Sequence, residues 1–190
     1  MNPPILIVPG WTNAGPDHWQ SIWQRSHPSW IRVEQSDWET PKAQDWLETL
    51  DRYVQACTAP PVLVGHSLGC IAIVKWAATS QAEIAGAFLV APADVESENA
   101  PTEIENFAPI PGERLRFPAQ IVASRNDEFL SLKRVSDLSE QWGCKVINIG
   151  NAGHIATNSG YGKWPEGQLL LANFMQSLSS LDSKVSSRAE

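Results

Sequence analysis

The feature that most restricts the fold of this chain is a series of short runs of Ile, Val and Leu without polar alternation, each followed by a stretch of helical spacing. Such runs suit strands buried on both faces, whereas a half-exposed strand alternates. The runs fall at residues 5–8, 31–33, 62–64, 85–90, 119–123 and 145–149. Between and after them, residues 17–23, 43–57, 68–78, 130–142 and 166–178 repeat apolar side chains at helical intervals. Strands alternating with helices predict an α/β fold: a mostly parallel six-stranded sheet with helices on both faces, joined by right-handed crossovers. Residues 91–118, rich in Pro and Glu, break the rhythm and are expected to form a small excursion rather than a large cap domain. One domain over residues 1–178, followed by a polar tail over 179–190, accounts for the whole length.

Composition excludes several classes of partner. With 14 basic against 21 acidic residues the net charge is −7, and no Lys/Arg cluster offers a local patch for nucleic acid. The apolar run at 5–8 is far too short to span a bilayer or form a signal core, so no membrane association is expected and the expected compartment is the cytoplasm. Cys57, Cys70 and Cys144 are odd in number and far apart, which suits reduced structural thiols; no CxxC pair suggests zinc.

Against that background one pentapeptide stands out. Gly65-His66-Ser67-Leu68-Gly69 fits G-x-S-x-G and lies where the run at 62–64 gives way to the apolar helix at 68–78. The carboxyl edge of a parallel sheet is where such folds gather ligands, and a sharp strand-to-helix turn there is the setting of a nucleophile elbow. The turn forces a strained backbone on Ser67 and requires small residues at 65 and 69.

A serine hydroxyl needs a base, and the base needs an orienting acid. Of the 4 histidines, His154 follows the last strand in Gly150-Asn151-Ala152-Gly153-His154-Ile155; His66 is expected to point away from Ser67 in a packing or hydrogen-bonding role, His18 lies in the first predicted helix, and His27 precedes Pro28. Asp127 stands just past the run at 119–123, with Glu128 and Asp94 as rivals. The order Ser67, Asp127, His154 is that of α/β-hydrolases. Two backbone donors would complete an oxyanion hole: the N–H of Leu68 by position, and that of Trp11 from the loop after the first strand. That loop is no phosphate site, since Pro16 and Asp17 stand where Lys and Ser/Thr would be required. Among the nine tryptophans, Trp11, Trp19, Trp23 and Trp164 fall near these loops, and Trp11 and Trp164 are the candidates to line a substrate pocket.

Taken together, Val8-Pro9-Gly10-Trp11 with Asp17-His18-Trp19, the elbow, Ser124-Arg125-Asn126-Asp127, Gly153-His154-Ile155, Ser159-Gly160-Tyr161-Gly162 and Trp164-Pro165-Glu166-Gly167 resemble the small serine hydrolases similar to retinoblastoma-binding protein 9 and the bacterial YdeN-like proteins. The resemblance implies a compact α/β-hydrolase sheet lacking the first two strands of the larger enzymes, with Ser67, Asp127 and His154 as the triad and no cofactor or metal. It does not carry over a retinoblastoma-type partner. The L-x-C-x-E element associated with that binding ends here in Ala72, within Leu68-Gly69-Cys70-Ile71-Ala72. The expected activity is hydrolysis of a small-molecule acyl substrate; the competing expectation is a binding protein that keeps the fold without turnover.

Overall fold

The structure is a computed structural model and describes residues 3–186. Six strands, β1 (Ile5–Val8), β2 (Ile31–Arg32), β3 (Val62–His66), β4 (Gly86–Val90), β5 (Ala119–Ala123) and β6 (Lys145–Asn148), form one sheet in the order β2-β1-β3-β4-β5-β6. Every pairing is parallel, so the sheet has no antiparallel member. The helices are α1 (Trp19–Ser26), α2 (Ala43–Gln55), α3 (Leu68–Thr79), α4 (Leu132–Trp142) and α5 (Pro165–Ser186).

Successive strand residues point to opposite faces, and here both faces are covered. Leu6, Val8, Leu63, Ala87, Leu89, Ile121 and Ala123 pack into a core with Trp46 and Leu50 of α2, Ile71 and Val74 of α3, and Val135 and Leu138 of α4. Ile5, Ile7, Val62, Val64, Phe88, Val90 and Val122 face the other core, filled by Trp19 and Trp23 of α1 and by Leu171, Phe174 and Leu178 of α5. Two-sided burial is the physical reason these strands lack alternation. β6 differs: it is an edge strand, and Val146 is 39% exposed.

Local chemistry sets the helix ends. His18 is not within α1 but caps it, its ring accepting a hydrogen bond from the N–H of Gln20 at 3.2 Å, which is why the helix begins at Trp19 rather than at 17. Ser131 caps α4 in the same way through the N–H of Arg134, and Gly143 closes it in the left-handed conformation at φ 69°. α5 runs on past 178 to Ser186, since no Gly or Pro interrupts residues 168–186; residues 187–190 of the expected tail lie outside the described residues.

The connection between β4 and β5 folds as a 3-10 helix (Thr102–Phe107). Phe107 packs edge-on against Trp46 of α2 at 5.5 Å, and Asn106 bonds both the N–H of Ala43 and the carbonyl of Pro41. The excursion is thus pinned beside the amino end of α2. Among the described residues no helix is long and apolar enough to cross a membrane.

The chain runs outward from β1 to β2 and then returns to β3 on the other side of β1. Such a reversal splits the connections to opposite faces and leaves a crevice at the carboxyl ends of the two strands. Ser67 follows β3 at that point.

Candidate active site

Ser67 occupies φ 54° and ψ −124°, outside the regions open to ordinary side chains, a conformation that costs of order 1–3 kcal/mol. Its N–H is held by the carbonyl of Val90 at 3.1 Å. The expected demand for small neighbours is met with contacts to match: a Cβ on Gly65 would lie 2.8 Å from Ile73 Cδ1, and one on Gly69 would run into the carbonyl oxygens of Val8 and Pro9. Leu68, Cys70 and Ala72 behind the turn are fully buried in α3, so this stretch offers no exposed docking motif. Burial pushes the Cys70 thiol well above its ordinary range, which leaves it inert beside the serine.

The three loops that the sequence nominates meet here. His154 Nε2 lies 2.9 Å from Ser67 Oγ, and His154 Nδ1 lies 2.9 and 3.0 Å from the two oxygens of Asp127. A carboxylate can only accept, so Nδ1 carries the proton and Nε2 is free to accept from the serine hydroxyl. The Asp127 side chain is 2% exposed and also accepts the N–H of Phe129 at 2.9 Å, which fixes its plane. The rival acids are engaged elsewhere or turned away: Asp94 pairs with Arg134 at 3.4 Å, and Glu128 is exposed. His27 stacks on Trp30 at 4.1 Å, remote from the serine.

Hydrogen bonds between the loops hold this geometry; His66 has the bonding role expected of it, whereas no such role is expected of Ser124 or Asn126 from the sequence. The loops after β5 and β6 are knitted together by Ser124 Oγ, which accepts the N–H of Ala152, and by Asn126, which accepts the N–H of Gly153, both at 2.9 Å. His66 donates through Nε2 to the backbone carbonyl of His154 at 3.0 Å, so the residue beside the serine anchors the main chain of the imidazole. Burial, then the neighbouring rings of His18 and His154, hold the His66 ring well below the ordinary histidine pKa and hence neutral. Polar residues in loops have no periodicity, and the spacing between these partners gives no local signal.

The loop after β1 lies against the elbow. A Cβ on Gly10 would stand 2.8 Å from Ser67 Cβ and 3.2 Å from the backbone nitrogen of Leu68, so the Gly10-Trp11 backbone passes close to the start of α3. Leu68 is the first helical residue, and its N–H has no intrahelical acceptor. Beyond Gly10 the chain enters the left-handed region twice without glycine, at Thr12 (φ 63°) and Asn13 (φ 66°). Buried Arg32 stabilises that strain: its guanidinium donates to Asn13 Oδ1 at 2.7 Å, Ser21 Oγ at 2.6 Å, the carbonyl of Ala14 at 3.3 Å and Gln24 Oε1 at 2.9 Å.

Trp11 lines a cavity of about 450 Å³ above Ser67 and His154, together with Phe129 and, from the β4–β5 excursion, Pro101 and Ile104. Trp11 Nε1 is tied to the carbonyl of Glu39 at 2.9 Å. Trp164 does not reach the cavity and the expectation for it is corrected. Its indole folds back over Gly167, where any Cβ would collide with the ring, and stacks on Trp23 at 5.5 Å within the α1/α5 core. The hydrophobic effect wins for so large a ring once a glycine leaves room for it. Among the described residues no group of three or more His, Cys, Asp or Glu side chains is placed to hold a metal.

Comparison with known proteins shows the family and the fold. Residues 5–173 match the family described as serine hydrolase. A structure from Pectobacterium atrosepticum, described as YdeN-like, is 33% identical, with 93% of this chain and 92% of that one covered and a TM-score of 0.85. YdeN of Bacillus subtilis is 22% identical over 178 residues, 87% of this chain and 92% of its own. The monoacylglycerol lipase of Paleococcus ferrophilus shares the fold, with a TM-score of 0.66 at 12% identity over 95% of this chain and 96% of that one.

Proposed function

Because this chain belongs to the serine hydrolase family, as a YdeN-like member of the α/β-hydrolase superfamily, we propose that it cleaves a small carboxylic ester, thioester or amide through an acyl-enzyme on Ser67. The observation that carries the reading is the unbroken hydrogen-bond chain from Ser67 Oγ through His154 to Asp127, at 2.9 Å per link.

Ser67 Oγ attacks the substrate carbonyl carbon while His154 Nε2 takes its proton. The imidazolium so formed is stabilised by Asp127, which remains ionised. Charge on the carbonyl oxygen is met by the N–H groups of Leu68 and Trp11, each worth about 3 kcal/mol of barrier in sites of this type, and by the amino end of α3. Collapse of the intermediate transfers the His154 proton to the leaving group. Water then attacks the acyl-serine, with His154 again as base, and releases the acid and the free serine. No step requires a cofactor. The free thiols Cys57, Cys70 and Cys144 suit a cytoplasmic setting.

A fluorophosphonate probe tests the reading. Wild type is expected to be labelled at Ser67 and Ser67→Ala to escape labelling and lose all turnover of short acyl esters. Folded wild-type protein that resists the probe, and a ligand that Ser67→Ala still binds, would instead indicate a fold kept for binding.

A further inference from the structure

The chain has 14 basic and 21 acidic residues, yet among the described residues no Lys, Arg, Asp or Glu lines the cavity above Ser67. Its polar wall consists of hydroxyls, side-chain amides and imidazoles. The His18 ring is held from behind by the backbone of α1. Its Nδ1 accepts the N–H of Gln20 at 3.2 Å as the cap of α1. A ring nitrogen that accepts carries no proton, so the ring is neutral and its hydrogen is on Nε2. Burial first, and then the guanidinium of Arg32 behind it, depress the His18 pKa to about 4 and keep the ring in that state.

His18 is 6% exposed, and among the described residues no protein group hydrogen-bonds its Nε2. It lies 4.7 Å from the ring of His66, the neighbour of Ser67, and forms part of the cavity wall. Nε2 is not among the fully buried atoms left without a partner, so it keeps some exposure at the cavity wall, where a bound oxygen can replace water as its acceptor.

Resting on the acyl-hydrolase reading above, we propose that His18 Nε2–H is a substrate-binding donor, and that the site selects uncharged acyl substrates carrying a second oxygen acceptor over this ring. A carbonyl, ether or hydroxyl oxygen meets that requirement. A carboxylate or ammonium group would enter a wall with no counter-ion and lose its hydration, which is costly for any charge.

The test compares three p-nitrophenyl esters of similar size: methoxyacetate, butyrate and hemisuccinate, each rate corrected for the ester's alkaline hydrolysis. Wild type is expected to favour methoxyacetate over butyrate by about fivefold to tenfold in kcat/KM, the worth of one neutral hydrogen bond, and to take hemisuccinate at least about a hundredfold less well. His18→Asn keeps a good helix cap but shortens the side chain, and His18→Phe keeps the ring without the donor. Both are expected to bring the ratio of methoxyacetate to butyrate kcat/KM, measured within each variant, down to about one. A preference that survives both substitutions, no preference in wild type, or hemisuccinate taken as readily as butyrate would overturn the proposal. Fluorophosphonate labelling of the same samples separates the two ideas: labelled proteins without this selectivity sink only the His18 role, whereas an unlabelled wild type sinks the reaction and this inference with it.

Discussion

The two edges of the sheet end differently, and the larger hollow is at the one without reactive groups. At the amino edge a groove of about 820 Å³ runs beside Pro4, Pro60 and Pro118, which lead into β1, β3 and β5. There Arg116 donates to the carbonyls of Ala77 and Ser80 and closes the end of α3 in an ordinary way. The cavity at the carboxyl edge has about half that volume, about 450 Å³. Yet Thr12, Asn13, Ser67, Ala91 and Ile155, all with positive φ and none of them glycine, follow β1, β3, β4 and β6 at that edge. Backbone strain of this kind persists only where surrounding contacts enforce it. Strain, rather than volume, therefore distinguishes the edge that holds the hydroxyl, imidazole and carboxylate.

The contrast can be broken at several points. The severest test after removal of Ser67 is Asp127→Asn, which reverses the tautomer of His154 and is expected to lower kcat about 10^4-fold with the fold intact; a near-normal rate in a steady-state assay would take Asp127 out of the reaction. Acid should destabilise this edge. Because the His18 pKa is about 4 in the folded protein against about 6.5 in the unfolded chain, the unfolded state binds more protons between those values, and stability falls as pH drops through that window. The His18 contribution is of order 3 kcal/mol, and His66 acts in the same direction. Urea unfolding at pH 7 and pH 5 should reveal the slope, and His18→Asn should flatten it; equal slopes would mean that the rings are charged in the fold.

A smaller effect should follow Arg32→Met. With the clamp on Asn13 and Ala14 removed, kcat is expected to fall about tenfold while KM changes little, as when one donor is misplaced in the transition state. An unchanged kcat measured well below the Tm would show that packing alone holds the loop. The smallest effect belongs to the amino-edge groove, where Glu83→Gln should leave kcat/KM within about twofold; a larger loss would mean that the groove takes part in the reaction.

Much of this arrangement was legible before any coordinates. β5 matches its apolar run over 119–123, and Ser67, Asp127 and His154 could be nominated because buried parallel strands must be followed by loops at a common edge. β6 was read as a strand, but its exposure was not, because an edge position depends on which strands lie beside it. For Trp164 chain proximity points to the cavity, and proximity is all the sequence offers. Its direction is decided by Gly167 and by the indoles of Trp19 and Trp23, which lie far off in the chain. Arg32 carries no signal of its own within the run at 31–33. Its burial became apparent only when the β1–α1 loop folded around it.

The indoles packed in the α1/α5 core have an optical consequence. Trp19, Trp23 and Trp164 lie within 5.5 Å of one another, and Trp19 Nε1 donates to the carbonyl of Ile155, the residue after His154. Chromophores this close couple their excited states, so near-ultraviolet circular dichroism of the cluster should be intense and should fade when the α1/α5 core loosens. The molecule thus carries its own spectroscopic gauge of core packing, readable without a label.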